Sequence, residues 1–151
     1  SLQIAVNLRD EGILQVFELT NPTKLRTECQ HPSRMVSSFN LSTDGQALAA
    51  LPNTQTGSGI VWDLTETPPR AYRLASESGG FDCVFSPSGA LLFVATRYGI
   101  EIHHWASQRI LRTIPYPGSV NGLVLHPDGQ HLATVNGNGT VYILRLPELA
   151  K

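Results

Sequence analysis

The tetrapeptide Ser42-Thr43-Asp44-Gly45 comes back as Ser86-Pro87-Ser88-Gly89 and again as His126-Pro127-Asp128-Gly129, each time between two runs of β-forming residues. The three glycines lie 44 and then 40 residues apart, a period that belongs to four-stranded, blade-like units rather than to helical solenoids. A second marker runs in the same phase. Phe17-Glu18, Trp62-Asp63, His103-His104 and Leu144-Arg145 each close a strand, at intervals of 45, 41 and 41 residues. Two registers sharing one period define an internal repeat, and the repeat decides the fold.

Short apolar–polar alternations separated by turn residues fill each period. Strands are expected over residues 4–8, 14–19 and 24–29, then 36–41, 47–51, 60–64 and 71–75. They continue over 81–85, 91–96, 100–105 and 110–114, and finally over 120–125, 132–135 and 140–146. Grouped by the repeat, they give units over 1–30, 31–76, 77–115 and 116–147, the first lacking its innermost strand and the last its outermost. Helical three-four spacing is not sustained anywhere, and Gly and Pro collect at turns, so the expected class is all-β. A sandwich would also use many short strands, but it has no reason to repeat one phrase at a fixed interval.

Aligned on the turns, VSSFNLSTDG (36–45), GFDCVFSPSG (80–89) and VNGLVLHPDG (120–129) resemble the V-x-x-V-x-F-S-P-D-G stretch of the tryptophan-aspartate (WD) repeat β-propellers. Ile60-Val61-Trp62-Asp63-Leu64 is the most literal signature, and Asn138-Gly139-Thr140-Val141 is similar to the D-G-T-V that opens the third strand of a blade. The resemblance spans nearly the whole chain and implies a β-propeller segment of about four four-stranded antiparallel blades, the first and last incomplete. It also implies structural roles for Gly45, Gly89, Gly129, Trp62 and Asp63. The Gly-His dipeptide of the family is absent. His31 stands where the blade-locking histidine is kept, expected to hydrogen-bond a buried polar partner, and Asn138 is the expected stand-in for the turn Asp of the last unit. The closing phrase over 135–146 is similar to the last repeats of large bacterial multidomain propeller proteins, in which a kinase or other effector module can sit upstream.

Composition bounds the function. A net charge of -1 with only two lysines, Lys24 and Lys151, lacks the clustered cations that phosphate neutralisation needs, so no nucleic acid is expected. The longest apolar runs are about six residues, against the roughly 20 of a spanning helix, so no membrane partner is expected either. Nothing at the amino terminus reads as a signal peptide and Met35 is the only methionine, so the chain reads as a piece of a longer protein. Cys29 and Cys83 fall on strands two units apart and are not expected to pair; isolated thiols fit a reducing compartment and a cytoplasmic location.

Catalytic constellations are not expected, and neither is a metal or a cofactor. His103 and His104 are adjacent in a strand and so point to opposite faces, where they cannot share an ion. His126 and His131 flank a tight turn, with no acid expected beside them at ligand spacing. The glycine-rich loop over 52–59 precedes a strand rather than a helix and lacks a following Lys, which argues against a phosphate cradle. No serine has the setting of a nucleophile elbow. In the central channel, where some propellers hold metals or redox cofactors, only Asp82 offers a carboxylate.

In such a propeller the loops joining outermost to innermost strands share a rim with those joining second to third strands. That rim gathers Arg9, Asp10, Arg34, Ser37, Phe81, Asp82, Arg97, Tyr98 and Asn121, and Arg and aromatic residues dominate binding energy at interfaces. The resemblance implies a protein or peptide bound there by a non-catalytic scaffold. At the open ends, the remaining blades of the parent chain or a second copy would cover the apolar flanks. A ligand-binding or enzymatic central channel and a self-assembling half-ring are the alternatives.

Overall fold

The structure is a computed structural model that describes residues 2–54, 56–76 and 79–148. Gln55 of the glycine-rich loop, and Glu77 and Ser78 at the start of the third expected unit, lie outside the described residues. Among the described residues, fourteen strands form four antiparallel sheets, each a simple meander. The first sheet is β1 (Gln3–Leu8), β2 (Ile13–Glu18) and β3 (Lys24–Gln30). The second is β4 (Val36–Leu41), β5 (Ala47–Pro52), β6 (Ile60–Asp63) and β7 (Arg70–Arg73). The third is β8 (Asp82–Phe85), β9 (Leu91–Thr96), β10 (Gly99–His104) and β11 (Arg109–Pro115). The last is β12 (Val120–Leu125), β13 (His131–Asn136) and β14 (Val141–Arg145). The chain is thus a partial propeller, with four-stranded blades flanked by three-stranded ones.

The repeated tetrapeptide makes the same hairpin three times. Gly45, Gly89 and Gly129 take φ of +69°, +74° and +68°, a left-handed conformation that costs glycine nothing and most other residues a steric clash. In each turn the glycine N–H donates to the carbonyl of the first residue, Ser42, Ser86 or His126, at 2.8–2.9 Å.

Three cores fill the three interfaces between the four sheets, and the period of two sorts residues among them. Along β5, Leu48 and Ala50 face the first sheet with Leu14, Val16, Cys29 and Trp62. Ala47, Ala49 and Leu51 face the third, against Cys83, Phe85, Leu92 and Val94. Along β9, Phe93 and Ala95 turn the other way, onto Ile100, Ile102, Val120, Leu123 and Leu132. Both strands are apolar on both faces because each is clamped between two blades, and the β5 alanines leave room for the larger side chains opposite.

One departure from an uninterrupted meander follows β10. Trp105–Ser107 forms a single 3-10 turn, closed by Gln108 at φ 55°. Its cause is the Trp105 indole, whose Nε1 donates to the Gly89 carbonyl at 2.8 Å and whose ring meets Tyr72 edge-on at 5.3 Å. The tryptophan expected to end a strand instead leaves it and ties the third blade to the second.

The outward flanks are uncovered. Leu2, Ile4 and Val6 are exposed at one end, and Val124, Val135, Val141 and Ile143 at the other, Ile143 to 76%. Contiguous apolar surface of this kind marks an association site. The isolated chain should therefore sediment as a concentration-dependent mixture, with replacement of Val141 and Ile143 by Thr shifting it toward monomer. A sharp monomeric boundary with a cooperative melt would count against the flanks being sticky.

Candidate interaction surface

A β-bulge builds the rim. In β4 the pairing register jumps between Val36 and Ser38, leaving Ser37 without a partner across the strand. In β12 it jumps between Val120 and Gly122, leaving Asn121 in the same position. At β8, Phe81 and Asp82 both stand opposite Ala95, which accepts from the Phe81 N–H at 2.9 Å. An extra residue of this kind is turned out of the ladder. The three blades thus present Ser37, Phe81 and Asn121 at equivalent points, which is why β8 begins one residue later than the pattern predicts.

The three are not equivalent chemically. Ser37 Oγ lies within hydrogen-bond distance of the carbonyls of Leu51, Pro52 and Gly80, at 3.2–3.3 Å. Asn121 is exposed. Phe81 displays a large ring, 46% exposed. Its neighbour across the sheet leads directly into the Thr96–Gly99 turn, where Thr96 Oγ1 accepts from the Tyr98 N–H and donates to the Gly99 carbonyl, both at 3.1 Å. Those two bonds hold the turn, and its close approach to the next strand admits only glycine at position 99, where a Cβ would fall 2.1 Å from the Ile114 carbonyl oxygen. The turn holds Tyr98, 63% exposed, with the Arg97 guanidinium 5.7 Å from its ring centre. Arg9, Asp10 and Arg34 are also exposed. So is Met35 beside Arg34, a residue whose exposure no spacing in the sequence announces.

Asp82, grouped with the rim by position, is tied into the centre of the fold. Its Oδ1 accepts from Ser38 Oγ of β4 at 2.9 Å and from the Cys83 N–H at 2.9 Å. Its Oδ2 accepts from the Leu123 N–H of β12 at 2.9 Å. One carboxylate thereby joins the innermost strands of three consecutive blades. Asn40 helps at the second step, its Oδ1 accepting from the Phe85 N–H at 3.2 Å. Between the first and second sheets the tie is Arg26, whose guanidinium donates to the carbonyls of Gly45 and Leu64 at 2.6 and 3.0 Å and to Gln3 at 2.9 Å.

The blade locks differ from the expected set. His31 is buried, 3% exposed, and meets Trp62 edge-on at 6.2 Å. Its Nδ1 accepts from the Ser33 N–H at 3.0 Å, but its buried Nε2 has no partner among the described residues. The expected bond to a buried polar side chain is therefore replaced by a ring contact, because β5 puts Leu48 and Ala50 beside Trp62, not hydroxyls. Asp63 Oδ1 caps its own turn, accepting from Thr65 N and Oγ1 at 2.9 and 2.6 Å. Asn138 likewise serves its own turn, accepting from Thr140 N and Oγ1 at 3.1 and 2.7 Å.

In the third blade the tryptophan position is taken by His103, which is 1% exposed. Its Nε2 lies 3.0 Å from Glu101 Oε2, and Glu101 Oε1 accepts from Ser76 Oγ at 3.0 Å. The group contains the three side-chain types of a hydrolytic triad in the wrong order. The carboxylate sits between hydroxyl and imidazole, so the histidine cannot take the serine proton. It works as a lock between the second and third blades.

Cys29 and Cys83 are both free and buried, as expected. Burial pushes each thiol up to about 12, so neither is an available nucleophile at neutral pH. At the third hairpin the expectation from spacing needs correction. Asp128, inside the turn, lies 3.0 Å from His126 Nδ1 and 2.8 Å from His131 Nδ1 through its Oδ2. Backbone N–H donation from Gln130, and then the bond from His131, holds its carboxyl well below the usual carboxylate range.

No family model matches the sequence. Among solved structures, Sqt1 from Chaetomium thermophilum aligns with a TM-score of 0.74 at 22% identity, over 95% of this chain and 40% of that one. The likeness supports a WD-repeat propeller fold. The chain thus spans less than half the length of that relative. Among the described residues, no helix is long and apolar enough to cross a membrane.

Two outcomes test the propeller's internal ties. Asp82→Ala leaves the Leu123 N–H without its acceptor and should lower unfolding free energy by about 2–3 kcal/mol in denaturant melts; an unchanged midpoint would show the carboxylate to be dispensable. Burial lowers the His31 pKa below its ordinary 6.5. The folded state therefore takes up its proton later than the unfolded one, and the stability His31 contributes above that value is lost as pH falls through it. The melting temperature should drop on acidification more steeply in the parent chain than in His31→Gln.

Proposed function

We propose that the chain is part of a WD-repeat-like propeller that works as a non-catalytic protein-binding platform, with its rim as the contact surface. The observation that carries this reading is the bulge that turns Phe81 out of the ladder beside the rigid Arg97–Tyr98 turn. Exposed aromatic rings and a guanidinium on one stiff support lose little conformational freedom on binding, which is how a small patch comes to dominate affinity. The arginines at 9, 34 and 97, with Met35, suit an extended acidic or mixed peptide. A binding role in general is supported by the propeller likeness.

A catalytic or ligand-holding channel is disfavoured by Asp82, both of whose oxygens already serve inter-blade bonds. The Ser76–Glu101–His103 order, with the carboxylate between hydroxyl and imidazole, disfavours hydrolysis. The exposed flanks support coverage by further blades of a longer chain, with a second copy as the rival, and the two inert thiols support a reducing, cytoplasmic setting.

Joint replacement of Phe81, Arg97 and Tyr98 by Ala should weaken capture of a native partner by about a hundredfold, the sum of two or three interface anchors, while leaving the melting temperature within a few degrees. Unchanged affinity would remove the patch from the interface.

A further inference from the structure

We propose that the hairpin over residues 126–131 is a binding site for a borderline divalent transition ion such as Zn²⁺, held by His126, Asp128 and His131. Three donor atoms, one from each residue, lie within 4.8 Å of one another. The two imidazole rings stand edge to face, their planes 88° apart and their centres 6.2 Å from each other. Adjacent donors on a tetrahedral ion with bonds near 2.1 Å stand about 3.4 Å apart. The observed separations from Asp128 Oδ2, 3.0 Å to His126 Nδ1 and 2.8 Å to His131 Nδ1, are slightly shorter than that edge, so small side-chain rotations would admit the ion.

The carboxylate is already oriented for the purpose. Its Oδ1 accepts from the N–H groups of Gln130 and His131 at 2.7 and 3.2 Å, which leaves Oδ2 directed at the imidazoles. Ligating carboxylates are commonly fixed through the second oxygen in this way. His126 Nδ1 also accepts from the Asp128 N–H at 3.2 Å.

Comparison with the other two hairpins shows that the fold itself does not need the histidines. In the first, Ser42 Oγ bonds Asp44 and accepts from the backbone of Gln46 and Ala47. In the second, Ser86 Oγ accepts from Leu91 N. Only the third turn carries imidazoles at both flanks, and there Asp128 Oδ1 takes over the backbone bonds. Two nitrogens and one oxygen favour Zn²⁺, Ni²⁺ or Cu²⁺ over the oxygen-seeking Mg²⁺ and Ca²⁺. The side chains are half exposed, so the remaining coordination positions open to solvent.

Calorimetric titration of the whole chain with Zn²⁺, in a buffer that does not coordinate metals, should show one equivalent bound. His126→Gln and His131→Gln should each lower its affinity by about tenfold or more, whereas His104→Gln should leave it unchanged. Asp128→Asn keeps the Oδ1 acceptor, and so the turn, but should weaken binding as well. With Cu²⁺ as the probe, electron paramagnetic resonance should report two imidazole nitrogens in the parent and one in either histidine variant. Absence of Zn²⁺ binding by the parent chain, equal affinity in the double histidine variant, or a two-nitrogen signal that survives either substitution would overturn the site.

Discussion

A sheet that is apolar on both faces cannot stand alone in water, and the two inner sheets of this chain are of that kind. β5 is buried along its entire length, and four consecutive residues of β9 face alternately into two different cores. Each blade is therefore stable only because another blade covers it. Burial of this apolar surface, at roughly 25 cal/mol per Å², is the main force holding the sheets face to face. The uncovered outer flanks are the same requirement left unmet.

Hydrophobic contact is non-directional and does not by itself set how blades align. Alignment comes from a few polar ties at the centre and edges. Asp82 joins three innermost strands, and Arg26 pins the first sheet to the turn of the second. Each is a directional bond across a largely apolar interface, where a misplaced donor would lose its partner. The proposed contact surface depends on this alignment, since Phe81 and Asp82 are neighbours in one bulge. The carboxylate turned toward the axis fixes the strand from which the ring is turned out.

The blades solve one packing problem with different chemistry. In the second blade a loop histidine packs on a strand tryptophan; in the third, a strand histidine bonds a glutamate that reaches a loop serine. Both fill the same gap between a blade and the loop that precedes it. Such exchange is possible because the gap demands volume rather than particular residues, and it explains why the repeats look degenerate.

What the sequence determined by itself was local. Alternation with a period of two, left-handed glycines at the three hairpins and a repeat near 40 residues settle the all-β class and place the strands, because they depend on stereochemistry within a few residues. The repeat even anticipates which positions lie side by side, as Ser38 and Asp82 are 44 residues apart and Asp82 and Leu123 are 41. Only the tertiary structure decided which atoms meet there. That Asp82 is a tie, that Trp105 turns onto Tyr72, and that Ser76, Glu101 and His103 share one network all depend on ångström-scale approach between segments. Residue spacing places side chains on a face; the packing of one blade against the next sets the distances at which they act.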